Sequence, residues 1–426
     1  MSRIWKEAGP QLMYGMVVSW GQYVMAFLIT GALLVPVFGV HPLLALIVPV
    51  GFAGGAGTAA GLGPSFKELG LKNGLDLGLA SATVGLLASI LVGMALVNVA
   101  ARKGWIKESK MQISGSSKLS LQGINPPDNR PVAGFQTVSA DSIDALAWHL
   151  SIIGMAMLFG YALKQGLLAI EATSPQLQRL GFFSGFPLFP LCMVGGIVIQ
   201  RVLQSYNTET KLVDNNLMNR LSGTALDFLV VCAMSTINLQ AVADDIWPFL
   251  ILMVWGLVWQ VACVFVLSRY LNPTHWFENA ICVFGQSTGV IAAGLVLLRS
   301  CDPKSRTPVP AAFSYKQLIH SMFMGGGIWT SISLPLTHAT GLWPMFCICV
   351  AGTAAWLCSW HFYFKPKVFP RMRAEWKEKE AAFRRASLGN HAEFDDLDDV
   401  DGDAFYQALD AESARRAGLL NPVDEQ

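Results

Sequence analysis

The sequence has few charged residues, and this scarcity excludes most kinds of soluble protein. Only 14% of its 426 residues are Asp, Glu, Lys or Arg, whereas 53% are hydrophobic and the mean hydropathy is +0.45. An ordinary soluble domain carries roughly a quarter charged residues. We therefore expect a protein that resides in a membrane.

Several sequence motifs are missing as well. There is no Cys-x-x-Cys pair, so we expect the 8 cysteines to pack as small apolar side chains rather than to form a metal site or a disulfide framework. No His-Glu-x-x-His or Gly-x-Gly-Asp motif supports a metallo- or aspartyl intramembrane protease. No basic domain indicates a nucleic-acid partner.

The few charges are concentrated at the carboxyl end. From Lys365 onward the chain carries 10 Lys/Arg and 14 Asp/Glu, and the preceding part has a net charge of +5. Low hydrophobicity and dense charge are typical of a solvated segment without a core. The near-neutral net charge is therefore the sum of two unlike parts, a membrane-embedded part and a charged tail.

Eight apolar runs reach the length of about 20 residues that a membrane-spanning helix needs. They lie at residues 11–38, 77–99, 145–168, 182–201, 221–241, 246–268, 315–337 and 341–363. The sequence thus predicts an all-α polytopic membrane protein.

Two further apolar segments, 41–62 and 278–298, predict re-entrant hairpins rather than spans. Six glycines fall between Gly51 and Gly63, and each costs a helix interior about 1 kcal/mol relative to alanine. A non-helical backbone segment at membrane depth is stable only where protein or water forms hydrogen bonds with its polar groups. We expect each segment to return to the side from which it starts.

Basic residues indicate the orientation of these segments. If 41–62 returns to its starting side, Arg3 and Lys6 share that side with the basic residues that follow the span 77–99. Lys and Arg are enriched in cytoplasmic loops. We therefore predict an integral, multi-pass protein, with the plasma membrane as the expected location and both termini in the cytoplasm.

The order span, hairpin, span occurs twice, and both hairpins contain Ala-Ala-Gly-Leu, at 59–62 and 292–295. The traced topology gives the two copies opposite orientations, which is the architecture of inverted-repeat secondary transporters. Three spans precede the second triplet and none precedes the first, so we expect either an incomplete repeat or a chain shortened by about 90 residues. The predicted parts are an incomplete N-terminal repeat (1–99), a cytoplasmic connector (100–144), a C-terminal repeat (145–340), an extra transmembrane helix (341–363) and a charged, partly disordered cytoplasmic tail (364–426).

Four motifs resemble the sodium/glutamate symporter family. They are Ile4-Trp-Lys-Glu-Ala-Gly-Pro-Gln-Leu, Trp20-Gly-Gln-Tyr, Gly54-Gly-Ala-Gly-Thr-Ala-Ala-Gly-Leu-Gly-Pro and Gly285-Gln-Ser-Thr-Gly-Val. The resemblance covers residues 4–340 and implies a homodimeric carrier that moves acidic amino acids with sodium by alternating access. It implies no cofactor besides the coupling ion, and no enzymatic activity. Ala56 stands where the family pattern has histidine, which leaves the choice of substrate open.

The candidate substrate- or ion-binding residues lie at the predicted breaks. Free backbone N–H groups at the start of a half-helix favour anions, and oxygens suit sodium. The candidates are Gly54, Gly55, Gly57, Thr58, Gln286, Ser287, Thr288 and Gly289. The alternative is that the glycines only permit close helix packing.

Asp227 is a further candidate because it is the acidic residue clearly inside a predicted span, 221–241. Carboxylates at membrane depth are costly, so a cation site or a proton relay is a reasonable default. The alternative is a carboxylate wetted at the cytoplasmic end of the span.

Two other functions stay open. Gly285-Gln-Ser-Thr-Gly289 fits the Gly-x-Ser-x-Gly pattern of serine hydrolases, which would make Ser287 the nucleophile of an intramembrane protease and His320 its base. Alternatively, the chain is a truncated or non-transporting member of the family. Replacement of Ser287 by alanine should abolish a protease outright, whereas a carrier would only change its affinity.

Overall fold

The structure is a computed structural model in which all regular structure of the described residues is helical. It describes residues 2–106, 132, 134–139, 141–173, 183, 186–206, 212–272, 274–302, 307–370 and 374. Most of the predicted connector and most of the predicted tail lie outside these residues. The helices are α1 (Ser2–Ile29), α2 (Ile47–Phe52), α3 (Gly55–Glu68), α4 (Gly74–Arg102), α5 (Ala145–Ala172), α6 (Leu188–Tyr206), α7 (Asn215–Ser235), α8 (Leu239–Asp244), α9 (Ile246–Ala262), α10 (Trp276–Cys301), α11 (Val309–Phe323), α12 (Ile328–Thr340) and α13 (Leu342–Ser359).

Three of these helices continue through π-helical turns. Helix α1 runs on through Thr30–Leu34 into Val35–Phe38, and α9 runs on through Cys263–Leu267 into Ser268–Leu271. The third, α13, continues as Trp360–Val368. Helices α1 and α9 are the first spans of the two predicted triplets, so these corresponding elements share an unusual local geometry.

By length and composition alone, seven helical stretches of the described chain could cross a membrane, and one of them, Trp276–Cys301, contains a break. They are Ala8–Phe38, Gly74–Arg102, Ala145–Ala172, Leu188–Ser205, Ile246–Leu271, Trp276–Cys301 and Leu342–Val368. This set confirms an all-α polytopic membrane protein.

Two predicted spans are wrong in their extent. The run 315–337 is not one helix, because α11 ends at Phe323 and α12 begins at Ile328. Gly325 and Gly326 between them have φ angles of +64° and +102°, which a continuous helix cannot contain. The run 221–241 is divided as well, since α7 ends at Ser235 and α8 begins at Leu239.

Residues 42–68 form a helical hairpin, which we call hairpin A. A 3₁₀ turn (Pro42–Leu46) leads into α2, the chain breaks at Ala53-Gly54, and α3 leads back. The two ends meet, because a Cβ added to Gly70 would lie 3.2 Å from Nε2 of His41. The buried faces carry Leu43, Leu44 and Phe66 into one apolar core.

Residues 276–301 form a second helical hairpin, hairpin B, in which two helical segments meet at a break. Gly289 and Val290 have non-helical angles, with φ of −143° and 67°. A Cβ added to Gly285 would lie 2.7 Å from Cα of Gly294. Nine residues of straight helix would separate these positions by about 13 Å, so the chain reverses. That each hairpin starts and ends on one side of the membrane stays a prediction.

Helix α4 packs against both hairpins and holds them together. Its small residues allow close approach: a Cβ added to Gly78 would lie 3.1 Å from Cβ of Ala59, and one added to Gly93 would lie 2.6 Å from Cδ1 of Leu297. Close backbone approach of this kind is the usual means of helix association in membranes.

Helices α5 and α6 form a separate pair. A Cβ on Gly160 would lie 2.5 Å from the backbone nitrogen of Cys192, and one on Gly195 would lie 2.5 Å from the carbonyl oxygen of Ala156. Their outer faces expose apolar side chains such as Leu158 and Ile197. The pair touches the hairpin region through Phe189, which lies against Gly61.

Candidate binding site between the hairpins

The tips of the two hairpins meet. Gly55 at the tip of hairpin A and Val290 at the tip of hairpin B both have positive φ angles, +71° and +67°. A Cβ added to Gly55 would collide with Cγ1 of Val290. The two breaks that the sequence predicts thus lie against each other, although 235 residues separate them.

Gly85 of α4 lies under both tips. A Cβ added to it would clash with the carbonyl oxygen of Thr288 in hairpin B and would lie 2.8 Å from Cδ1 of Phe52 in hairpin A. Gly289 approaches the same helix, where an added Cβ would meet Ser89. The interrupted backbone of hairpin B therefore contacts the helical backbone of α4 directly, whereas hairpin A contacts Gly85 through the ring of Phe52.

The other candidate residues of hairpin A offer backbone groups to a ligand rather than free side-chain groups. Thr58 is buried, and its Oγ1 donates a 2.8 Å hydrogen bond to the carbonyl oxygen of Gly54. Gly57 is half-buried and leaves room beside Leu226 of α7. The free functional groups of this tip are therefore its backbone N–H groups at the start of α3.

A third break, at Met324–Gly327, adjoins hairpin A. A Cβ added to Gly325 would lie 3.0 Å from the carbonyl oxygen of Ala53. Thr330 holds this loop, because its Oγ1 accepts hydrogen bonds from the Gly326 N–H at 3.3 Å and from the Tyr23 hydroxyl at 3.1 Å. The sequence interpretation missed this element, and the signal that could have found it is the run Gly325-Gly-Gly327.

Hairpin B brings buried polar side chains to the site. Thr288 Oγ1 donates to the carbonyl oxygen of Phe284 at 2.7 Å and so satisfies its own helix. Ser287 is fully buried, and its Oγ has no hydrogen-bond partner among the described residues. Gln22 of α1 donates to the backbone carbonyl of Ser287 at 3.4 Å, while its own Oε1 is also buried without a described partner.

Unsatisfied oxygens of this kind are uncommon, since most buried polar groups find a partner. Two of them, Ser287 Oγ and Gln22 Oε1, belong to residues joined by one hydrogen bond, from the Gln22 amide to the Ser287 backbone carbonyl. A hard monovalent cation or a water molecule is the chemistry that such oxygens suit.

A chain of polar side chains connects hairpin B to α1 through α11. Lys316 donates from Nζ to Oε1 of Gln286. The Gln286 Nε2 lies 3.4 Å from Nδ1 of His320, and the His320 Nε2 lies 2.9 Å from Oγ of Ser19. Because an ammonium group only donates, the amide oxygen faces Lys316 and Nε2 donates to a neutral His320, which in turn donates to Ser19.

Lys316 is the residue that the sequence interpretation missed most clearly. It lies near the start of the predicted span 315–337, where a lysine is expected to reach the membrane surface. In the structure it has 0% exposure. Among the lysines and arginines whose burial the structure describes, it alone is buried.

Asp227 lies apart from this cluster. It is exposed on α7, although its neighbour Leu226 lies 3.5 Å from the position of a Cβ added to Gly57. Within the described chain it makes no hydrogen bond with either hairpin. Its role as a cation site therefore stays a prediction without support from burial.

The contact that a serine protease requires is not formed. Both ring nitrogens of His320 are engaged, with Gln286 and with Ser19, rather than with Ser287. A hydroxyl nucleophile needs a base within hydrogen-bonding reach, about 2.6–3.2 Å. The described residues therefore place Ser287 in a buried polar cluster and not in a catalytic pair.

Comparison with known proteins decides between a carrier and other membrane proteins. A family profile described as sodium/glutamate symporter matches residues 3–288, about two thirds of the chain. The chain belongs to the sodium/glutamate symporter family. No curated protein and no solved structure matches it. The match includes the tip of hairpin A and hairpin B as far as Thr288, just before its turn at Gly289 and Val290. Membership in the family confirms the expected class of membrane transport protein.

Proposed function

We propose that this chain is a sodium-coupled symporter of glutamate or a related acidic amino acid, working by alternating access around the two hairpin tips. The observation that carries the proposal is the meeting of Gly55 with Val290 in a member of this family. Opposed broken helices at mid-membrane are the usual binding site of secondary transporters. Sodium and the amino acid are the transported partners, and no cofactor is included.

The geometry of the tips suits the substrate carboxylates. Helix α3 begins at Gly55, and the second half of hairpin B begins after Val290. Each start leaves backbone N–H groups without an intrahelical acceptor, and the helix dipole adds partial positive charge there. Carboxylates of an amino acid are the ligands that such positions favour.

The unpaired oxygens of Ser287 and Gln22 suit the coupling ion. Both are buried, uncharged and hard, and they come from hairpin B and α1. An ion held there would attach the tip of hairpin B to α1. Opening of the hairpin would then release substrate and ion together. This joint release couples the transport of the substrate to that of the ion.

The proposal places the chain in the plasma membrane as a homodimer with cytoplasmic termini. Helices α5 and α6 support the membrane part, because they expose apolar side chains along one face. Such a face suits lipid or a second copy of the chain. The proposed re-entrant course of both hairpins follows from the positive-inside tendency.

The decisive experiment is uptake of labelled glutamate by the purified chain in proteoliposomes. We expect an inward sodium gradient to drive accumulation, and potassium in place of sodium to abolish it. Gly57→Leu should block uptake, since its side chain would enter the space between hairpin A and Leu226. Gly196→Ala is a matched control, because an added Cβ there meets open space.

Two outcomes would contradict the proposal. Absence of gradient-driven uptake of glutamate and related anions by the parent chain indicates a non-transporting family member. Equal uptake with sodium and potassium contradicts sodium coupling. Ser287→Ala separates the alternatives further: a carrier should show a changed affinity for sodium or substrate, whereas a protease would lose all peptide cleavage.

A further inference from the structure

Lys316 is a buried lysine that the proposed transport mechanism does not yet use. Its Nζ donates to Gln286, the residue next to Ser287, and lies 5.1 Å from the ring centre of Phe313. Helix α11 carries it into the contact between α1 and hairpin B. It therefore lies beside the proposed site although it belongs to neither hairpin.

The site is shaped to hold this side chain. A Cβ added to Gly15 of α1 would lie 2.5 Å from Cε of Lys316 and 3.1 Å from its Nζ. Only glycine at position 15 leaves this room without displacement of the lysine. The fit of a glycine on one helix to a lysine on another indicates a specific position for the ammonium group.

No carboxylate of the described chain pairs with the Lys316 amine. The titratable groups that interact with Lys316 are Cys282 of hairpin B and His320 of its own helix. Tyr14 of α1 donates its hydroxyl proton to the carbonyl oxygen of Cys263 instead. Of the three N–H groups of the ammonium, one has an acceptor among the described residues, the amide oxygen of Gln286.

Burial of an unpaired charge is strongly unfavourable, and a neutral amide compensates it only in part. The protonated, charged form of Lys316 is therefore favoured when an anion arrives beside it. An acidic amino acid brings one more carboxylate than a neutral amino acid does. The backbone N–H groups of the tips suit the α-carboxylate that all amino acids share, which leaves the side-chain carboxylate for Lys316.

We propose that Lys316 binds the side-chain carboxylate of the transported amino acid and thereby selects acidic over neutral substrates. This inference rests on the proposed function and specifies the charge-selective part of the same site. The hydrogen bonds from Gln286 through His320 to Ser19 hold the amide oxygen toward the lysine. They keep the ammonium oriented while the site is empty.

The test compares uptake of labelled glutamate and glutamine, which differ by one charge and have nearly the same shape. Lys316→Met should lower the glutamate-to-glutamine ratio of kcat/KM by about tenfold or more, as expected for loss of a charged hydrogen bond. Lys316→Arg keeps the charge and should retain the preference for glutamate. Lys67→Met removes an exposed lysine far from the tips and should leave the ratio unchanged.

A folding control distinguishes a loss of substrate selectivity from a failure of the variant to fold. Each variant should elute as one species of the parent's size, and Lys316→Met should still transport glutamine. If Lys316→Met does not fold, Gly15→Ala provides the second variant, because its methyl group displaces the lysine without removing it. We expect Gly15→Ala to lower the glutamate preference as well, by a smaller factor than Lys316→Met.

The outcomes separate this inference from the proposed function. If the parent chain transports glutamate and folded Lys316→Met keeps the same preference, the inference is wrong and the symporter proposal stands. If Lys316→Arg loses the preference as Lys316→Met does, charge is not the selecting property and the inference is again wrong. If the parent transports no amino acid under any gradient, both proposals fail together.

Discussion

Hairpins A and B both reverse at a break in a helix but differ in the chemistry of their tips. Hairpin A turns at two glycines, Gly54 and Gly55, and its threonine bonds its own backbone. Hairpin B turns at Gly289 and Val290 and carries Gln286 and Ser287 into a buried polar cluster. Both tips contain a residue with a positive φ angle but carry different side chains, which suits them to different parts of one ligand.

The residue with a positive φ angle at each tip also differs between the two hairpins. Gly55 adopts φ of +71° without a steric penalty, whereas Val290 adopts φ of +67° with a branched Cβ. A valine in this region is a genuine outlier and costs on the order of 1–3 kcal/mol. The surrounding packing must supply that energy, and the contact of Val290 with Gly55 is one source. Hairpin B is therefore the strained member of the pair.

The largest effect is expected from Gly85→Ala, which tests whether both hairpins need the same support. Its methyl group would meet the backbone oxygen of Thr288 and the ring of Phe52, and neither can move freely. Overpacking of this kind costs about 1–3 kcal/mol. We expect a lower melting temperature and nearly complete loss of glutamate uptake. Gly93→Ala is the control on the same helix, since it meets only the flexible end of Leu297; equal loss in both variants would contradict the prediction.

An intermediate effect is expected from Gly55→Ala, which makes the two tips alike. The substitution forces alanine into a left-handed conformation, at about 1–2 kcal/mol, and also against Cγ1 of Val290. Val290→Gly removes both the strained side chain and the obstacle. We therefore expect the double variant to recover part of the lost melting temperature and uptake. Strictly additive losses would show that the tips do not contact each other in the membrane.

The smallest effect is expected at the bases of the hairpins, which both follow a histidine. His41 accepts a 3.3 Å hydrogen bond from the Leu43 N–H at its Nδ1 and caps hairpin A, whereas His275 does not cap hairpin B. Burial, followed by the nearby His338, lowers the pKa of His41. Folding then favours the neutral ring, so its stabilising effect is complete above the unfolded pKa of about 6.5 and is lost as the pH falls toward the lower folded pKa.

Melting temperatures at pH 7.5 and pH 5.5 test this difference. We expect the parent to be less stable at pH 5.5 by up to about 1 kcal/mol, the usual value of a cap. His41→Asn keeps a capping acceptor that does not titrate, so it should reduce the pH dependence. His275→Asn should not. A parent with equal stability at both pH values would contradict the assignment.

The sequence predicted the positions of the two helix breaks because their signal is local, whereas the re-entrant course of the hairpins stays a prediction. Glycine clusters such as Gly51 to Gly63 weaken a helix whatever surrounds them, and the breaks lie within both predicted segments. The break at Met324–Gly327 was missed because the apolar run around it looked continuous. Lys316 was missed because its position on an apolar helix predicts access to the surface, and only packing against α1 and hairpin B buries it.

The sequence by itself determined the membrane body, the helical class, the family and the two glycine-rich breaks, since these follow from composition and short motifs. Tertiary structure alone decided that Gly55 meets Val290, that Gly85 supports both tips, and that Lys316 reaches Gln286. Such contacts join residues that are distant in the chain, from 30 to more than 200 positions apart. They depend on helix packing, which no local pattern of residues specifies.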